Sequence, residues 1–283
     1  MSHHSSSTQK GVQKASVFVT GIGSDICCPF FGPNGKLHAV RQNAGTIITI
    51  DNVGNAQTIC STGGQPSGAV FTSDGVLYVS DFGHSAILSV QPDGQQDLVV
   101  GVYEDKPLKG PHSINITNGD IFFSDSGSFG ETGLHSRLGS LFTISSSPSG
   151  QILQPIALES LAYPSGIAVS HNGKFIYVAE MMANRILRFF QQPQGVFHSS
   201  VFHQLSGAVG PSCLALCPLG NLYIGHYDVK ESATEGQVHV VSPAGKVLSH
   251  ISTTGPEISG LAINEGVLYI TEKSTGSVQK IKI

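Results

Sequence analysis

The stretch YPSGIAVSHNGKFIYVAEMMANRILRFF, residues 163–190, decides the fold. It reads as three short strands, at residues 166–170, 175–180 and 185–189, joined by tight turns. His171, Asn172 and Gly173 form the first turn, where the Asn-Gly pair supplies the positive φ values of a two-residue hairpin. Residues 181–184 form the second. Phe175, Ile176, Tyr177 and Val178 make a continuous apolar run, the mark of a strand covered on both faces. Such a unit cannot bury both faces alone, so it needs copies of itself on either side.

The chain supplies five more at a spacing of roughly 40 to 50 residues, the range of propeller blades. They open at Cys27, Pro66, Pro111, Pro211 and Ile258, with turn glycines at Gly35, Gly75, Gly119, Gly173, Gly220 and Gly266. The third copy is interrupted by a glycine-bearing insert, residues 128–137, expected as a loop on one face, and the fifth by an acidic loop, residues 231–235. The sixth stops at its third strand. Residues 15–20, ASVFVT, alternate in the way needed to fill that gap, closing the ring and removing an exposed sheet edge. The expected fold is therefore an all-β, six-bladed β-propeller over residues 13–283, preceded by a disordered lead-in at 1–12.

Composition agrees. Glycine is abundant, at 34 of 283 residues, and only 12% are charged, as in a turn-dense β protein rather than a helical or disordered one. A formal charge of -4 with no basic run argues against nucleic acid as a partner. No apolar run approaches the roughly 18 residues of a membrane span, and the Ser-rich beginning lacks the apolar core of a signal peptide. The five cysteines are odd in number and lack zinc-finger spacing, so reduced thiols in a cytoplasmic protein, taken as a monomer, are the expectation. His3 and His4 read as bystanders in the lead-in.

In a propeller the innermost strand of each blade lines the channel. Aligning the copies on their turn glycines puts Cys27, Ser67, His112, Ser165, Ser212 and Ser259 at the openings of those strands. This small, polar, carboxylate-free ring is the candidate ligand site, because ligands favour concave mouths with a few convergent polar groups. Its structural alternative is that small residues are needed where six strands crowd together. A second ring, Arg41, Asp81, Asp125, Glu180, His226 and Glu272, ends the second strands. Acidic residues there are expected to accept hydrogen bonds from turn amides.

The fourth copy resembles the matching blade of the strictosidine synthase-like proteins. It is similar too to that of the wider group of SMP-30/gluconolactonase lactonases and squid diisopropylfluorophosphatase, where the blade reads approximately PNGIAVSPDG…VAET…RILRY. INITNGDIFFSDSG and PFFGPNGKL are similar to further elements of that group, and weaker agreement spans nearly the whole chain. The resemblance implies a six-bladed propeller acting on small molecules. In metal-dependent members a Glu, an Asn and an Asp at the channel mouth hold a divalent cation. Carried over, those positions fall on Cys27, His112-Ser113, Ser165 and Ser212, so no metal or other cofactor is expected. The glutamate on which strictosidine synthase relies falls on Ser259, with Glu257 two residues away.

Three functions follow. The first is a metal-independent channel binding or transforming a small organic ligand through Ser67, Ser165, Ser212 and Ser259. There Cys27 and His112 are the candidate catalytic residues, a Cys27 or Cys28 nucleophile requiring that His112 lower its pKa. The second is a lactone or ester hydrolase with Cys27 and His112 holding a softer ion such as zinc. The third is a scaffold for a protein partner on a propeller face, with Phe129 and Tyr227 among its aromatic platforms. A triad from His112, Ser165 and Asp125 lacks the GxSxG elbow.

Overall fold

The computed structural model describes residues 13–148, 150–207, 209–228 and 233–283. The expected lead-in at 1–12 lies outside the described residues, as do residues 229–232 of the acidic loop.

Six sheets, each with four antiparallel strands, form the blades, and the fifth blade carries one further short strand. Their innermost strands are Ile26–Phe31, Pro66–Phe71, Pro111–Thr117, Pro164–Val169, Pro211–Leu216 and Ile258–Asn264, and each packs against the next around the ring. In the opening stretch Phe175–Glu180 pairs with Pro164–Val169 on one side and with Arg185–Gln191 on the other, and Phe197–Gln204 completes the blade. The first turn of this blade differs from the two-residue hairpin expected of it. In the Asn172-Gly173 pair only Gly173 takes a positive φ, +70°. Asn172 instead accepts hydrogen bonds at Oδ1 from the Ser170 hydroxyl and the Lys174 amide, at 2.8 and 3.1 Å, making a longer side-chain-braced turn.

The apolar run at residues 175–178 explains why blades stack. Ile176 and Val178 pack into a cluster with Leu141 and Phe122 of the third blade, while Tyr177 and Ala179 face Leu222 and Ile224 of the fifth. Among the described residues every inter-blade interface holds one such cluster. The core is thus distributed around the ring.

Closure follows the expected route. Ser16–Val19 runs antiparallel to Ser277–Lys282 as the outer strand of the sixth blade. The sequence did not suggest that Gln13–Lys14, immediately before, would pair in parallel with Val247–Thr254 of the fifth blade. The same short segment therefore joins two blades. All five cysteines are free, and among the described residues no helix is long and apolar enough to cross a membrane.

The second ring does the structural work expected of it. The Asp81 carboxylate accepts from the Gln65 and His84 amides at 2.9 and 3.0 Å, and Asp125 accepts from Lys109 and Gly110. Glu180 accepts from Ala162 and is paired with Arg185. Glu272 takes the amides of Glu257, Ser274 and Thr275. In the first blade the polarity is reversed: Arg41 occupies the ring position and Asp25, paired with it, accepts the Ala44 amide. Glycine leaves room for these carboxylates. A Cβ on Gly64 or Gly255 would lie 2.4 Å from the carboxyl groups of Asp81 or Glu272.

Candidate functional site

All six residues that open the inner strands line one cavity of about 300 Å³ at the channel mouth. That is the lower end of the volumes that hold small-molecule ligands. Their side chains also sew neighbouring blades together. The His112 ring meets the Ser165 carbonyl at 2.7 Å, and the Ser165 hydroxyl donates to the Pro211 carbonyl at 2.9 Å. The Ser212 hydroxyl donates to the Ile258 carbonyl at 2.6 Å, and Ser259 to that of Ile26 at 2.7 Å, bridging the sixth blade to the first. The Cys27 thiol lies 3.7 Å from the Ser67 carbonyl. Between the second and third blades the link comes instead from Ser80, which donates to the His112 carbonyl at 2.8 Å. Ser67 is left to accept from the Gln42 amide at 3.1 Å. Bonding between blades and lining of the cavity thus coincide in these residues. Hydroxyls whose protons are committed to carbonyls present oxygen lone pairs to the cavity.

These bonds settle the state of the imidazole. A carbonyl only accepts, so His112 Nδ1 carries the proton and Nε2 is the acceptor left for a ligand. Burial holds the ring's pKa down at about 4, so it is neutral at physiological pH. Burial pushes the Cys27 thiol up to about 12, only partly offset by the nearby Lys273 ammonium, and the Cys28 thiol up to about 11. The activation on which a cysteine nucleophile depended is therefore not met. His112 is neutral and bonded elsewhere, and neither thiol ionises near neutrality. Cys28 is packed against the Ala69 backbone. Nor does a triad form: Asp125 is taken up by the Lys109 and Gly110 amides, and the His112 Nδ1 by a carbonyl.

Four lining residues were absent from the sequence reading as site residues: Gln42, Tyr163, Met181 and Lys273. Gln42, Met181 and Lys273, with Tyr227, each sit one position beyond a member of the second ring. The same glycine-anchored alignment advanced by one residue would have found them. The insert at residues 128–137 contributes Phe129, whose ring meets Tyr163 edge-on at 5.3 Å, giving the cavity an aromatic rim. Burial raises the Tyr163 phenol, and burial with Glu257 pushes Tyr227 up to about 12. Glu257, the alternative to Ser259 had the register slipped by two, is bonded to the Tyr227 hydroxyl, and Ser259 holds the cavity position.

A family model for the SMP-30/gluconolactonase/LRE-like region matches residues 33–274. The chain belongs to this family. The lactonase drp35 of Staphylococcus saprophyticus is 27% identical over 187 residues, 64% of this chain and 53% of the relative, so the chain spans about half the length of that curated relative. Among solved structures, a gluconolactonase from Xanthomonas campestris superposes with a TM-score of 0.75 at 20% identity, covering 96% of this chain and 87% of that one. Regucalcin from Agrobacterium tumefaciens, described as calcium-binding, gives 0.75 at 16% identity, covering 95% and 96%. At these identities the structures testify to a shared fold.

The cation that the family resemblance implies does not fit the residues present. The positions that would ligate it hold a neutral thiol, a neutral imidazole and two hydroxyls bonded to carbonyls, and among the described residues no carboxylate lines the cavity. A hard divalent ion requires several oxygen ligands, some charged. Among the described residues no group of three or more His, Cys, Asp or Glu side chains is placed to hold a metal, so a zinc site built on Cys27 and His112 also lacks ligands. The Lys273 ammonium lies within electrostatic reach of both.

Proposed function

We propose that this member of the SMP-30/gluconolactonase family binds a small organic ligand at the channel mouth without a divalent cation. The observation that carries the reading is the cavity itself. Six inner strands deliver neutral polar side chains to one opening, where the family resemblance implies a Glu, an Asn and an Asp. Serine oxygens and His112 Nε2 suit the hydroxyl groups of a ligand, while Phe129, Tyr163 and Met181 suit its carbon frame. A lactone-like compound meets both demands.

A second reading, hydrolysis of a lactone or ester, is favoured by the neutral imidazole, whose Nε2 has no hydrogen-bond partner among the described residues, and by family membership. His112 would accept a proton from water as its oxygen adds to the carbonyl, then return it to the departing alkoxide. Cys27, as a thiol, forms wall rather than nucleophile.

The test is calorimetric titration of EDTA-treated full chain with hydroxylated lactones and their open-chain acids, alongside elemental analysis. Saturable binding that added calcium or zinc leaves unchanged is expected. Binding that appears only on adding a divalent ion would overturn the reading.

A further inference from the structure

Among the described residues the cavity is lined by one ammonium and no carboxylate. Lys273 is half-buried, lines the opening, and donates to Gln42 Oε1 at 3.1 Å. That bond and the 3.1 Å bond from Gln42 Nε2 to Ser67 fix which way the amide faces. Two of the three Lys273 protons and one of the Gln42 amide protons remain for a ligand.

The nearby acids are otherwise engaged. Glu272, the preceding residue, is fully buried and bonded to turn amides and hydroxyls. Glu257, whose backbone carbonyl accepts the Lys273 amide at 3.0 Å, has its side chain on the Tyr227 hydroxyl. Among the described residues Lys273 makes no ion pair. An ammonium that no described carboxylate pairs attracts an anion more strongly in a partly desolvated site than on an open surface.

We propose that Lys273 and Gln42 form a carboxylate-binding corner, and that the ligand of this cavity is a small organic monoacid whose carbon frame rests against Phe129 and Tyr163. The inference rests on the ligand-site reading above and adds a charge to the ligand. One ammonium and one amide donor match a carboxylate's two oxygens and single charge; a phosphate monoester, with three terminal oxygens and nearly two charges, would leave charge and lone pairs unmet.

The experiment compares ligands matched in shape and differing in charge, by titration calorimetry on the full chain in EDTA: mandelate against mandelamide, gluconate against glucitol, and glucose 6-phosphate as the competing anion. The expected result is that the carboxylates bind at least tenfold more tightly than their neutral twins, with the advantage shrinking as salt is added. Lys273→Met should bring each pair within about twofold, and Lys273→Arg should restore part of the difference. Gln42→Glu keeps the ammonium and gives it a resident carboxylate, so it too should abolish the preference, independently of any folding defect in the Lys273 variants. Equal binding of the twins to the parent protein, preference for glucose 6-phosphate, or a preference that survives both Lys273→Met and Gln42→Glu would overturn the inference while leaving the cavity a ligand site. Failure of every probe to bind would overturn both.

Discussion

His38 gives the sharpest quantitative handle on this propeller. It is 5% exposed, stacked on Phe30 at 5.4 Å and edge-on to Phe71 at 5.1 Å, between the first two blades. Burial holds its pKa at about 4, with the Ile48 backbone as partial compensation. The folded state therefore binds fewer protons than the unfolded state between pH 6.5 and 4. Stability from this residue is complete above about 6.5 and is lost as pH falls toward 4. At pH 4.5 the loss amounts to about 2.5 kcal/mol. His38→Phe keeps the aromatic stack and removes the titration. Near pH 7.5 it should lie within about 1 kcal/mol of the parent, the worth of one polar contact. At pH 4.5 it should gain about 2.5 kcal/mol relative to the parent compared with pH 7.5. Urea unfolding followed by far-UV circular dichroism suits a chain without tryptophan. If parent and variant lose stability in parallel from pH 7.5 to 4.5, His38 does not carry this share of the acid limb and the argument from its burial is wrong.

Two further outcomes follow from features of the ring. With the Cys27 thiol pushed up to about 12, iodoacetamide at pH 7.5 should leave it unmodified in the native protein for hours and label it readily in urea, as read by peptide mass spectrometry. Rapid native labelling would return the nucleophile to consideration. Deleting residues 1–19 strips the outer strand from the sixth blade and bares the edge of Ser277–Lys282. Light scattering should then show self-association and heating should show a lower Tm, whereas an unchanged Tm would mean that closure is not stabilising.

The blade repeat was legible because each copy carries a turn glycine at a fixed distance from its inner strand, which let the channel residues be aligned without any structure. The His171-Asn172-Gly173 turn shows the limit of that reading. Its location was right, but its conformation depended on an Asn172 side chain that braces the loop instead of adopting a left-handed backbone. At the site, Cys27, Ser67, His112, Ser165, Ser212 and Ser259 were brought together as the alignment implied. Their bonds to neighbouring carbonyls lay beyond reach, because these depend on which strand of the next blade lies opposite. Gln42, Met181 and Lys273 escaped for another reason. Alignment drew attention to the charged residues that precede them, Arg41, Glu180 and Glu272, and those side chains are taken up by an ion pair or by turn amides.

The segment from Gln13 to Val19 straddles two blades, Gln13–Lys14 pairing in parallel with the fifth and Ser16–Val19 antiparallel with the sixth. Their partners lie more than two hundred positions downstream. On a ribosome this segment emerges before either of its partner strands, so neither pairing can form until both have been made. The final circle can snap shut only after residue 282 has cleared the exit tunnel.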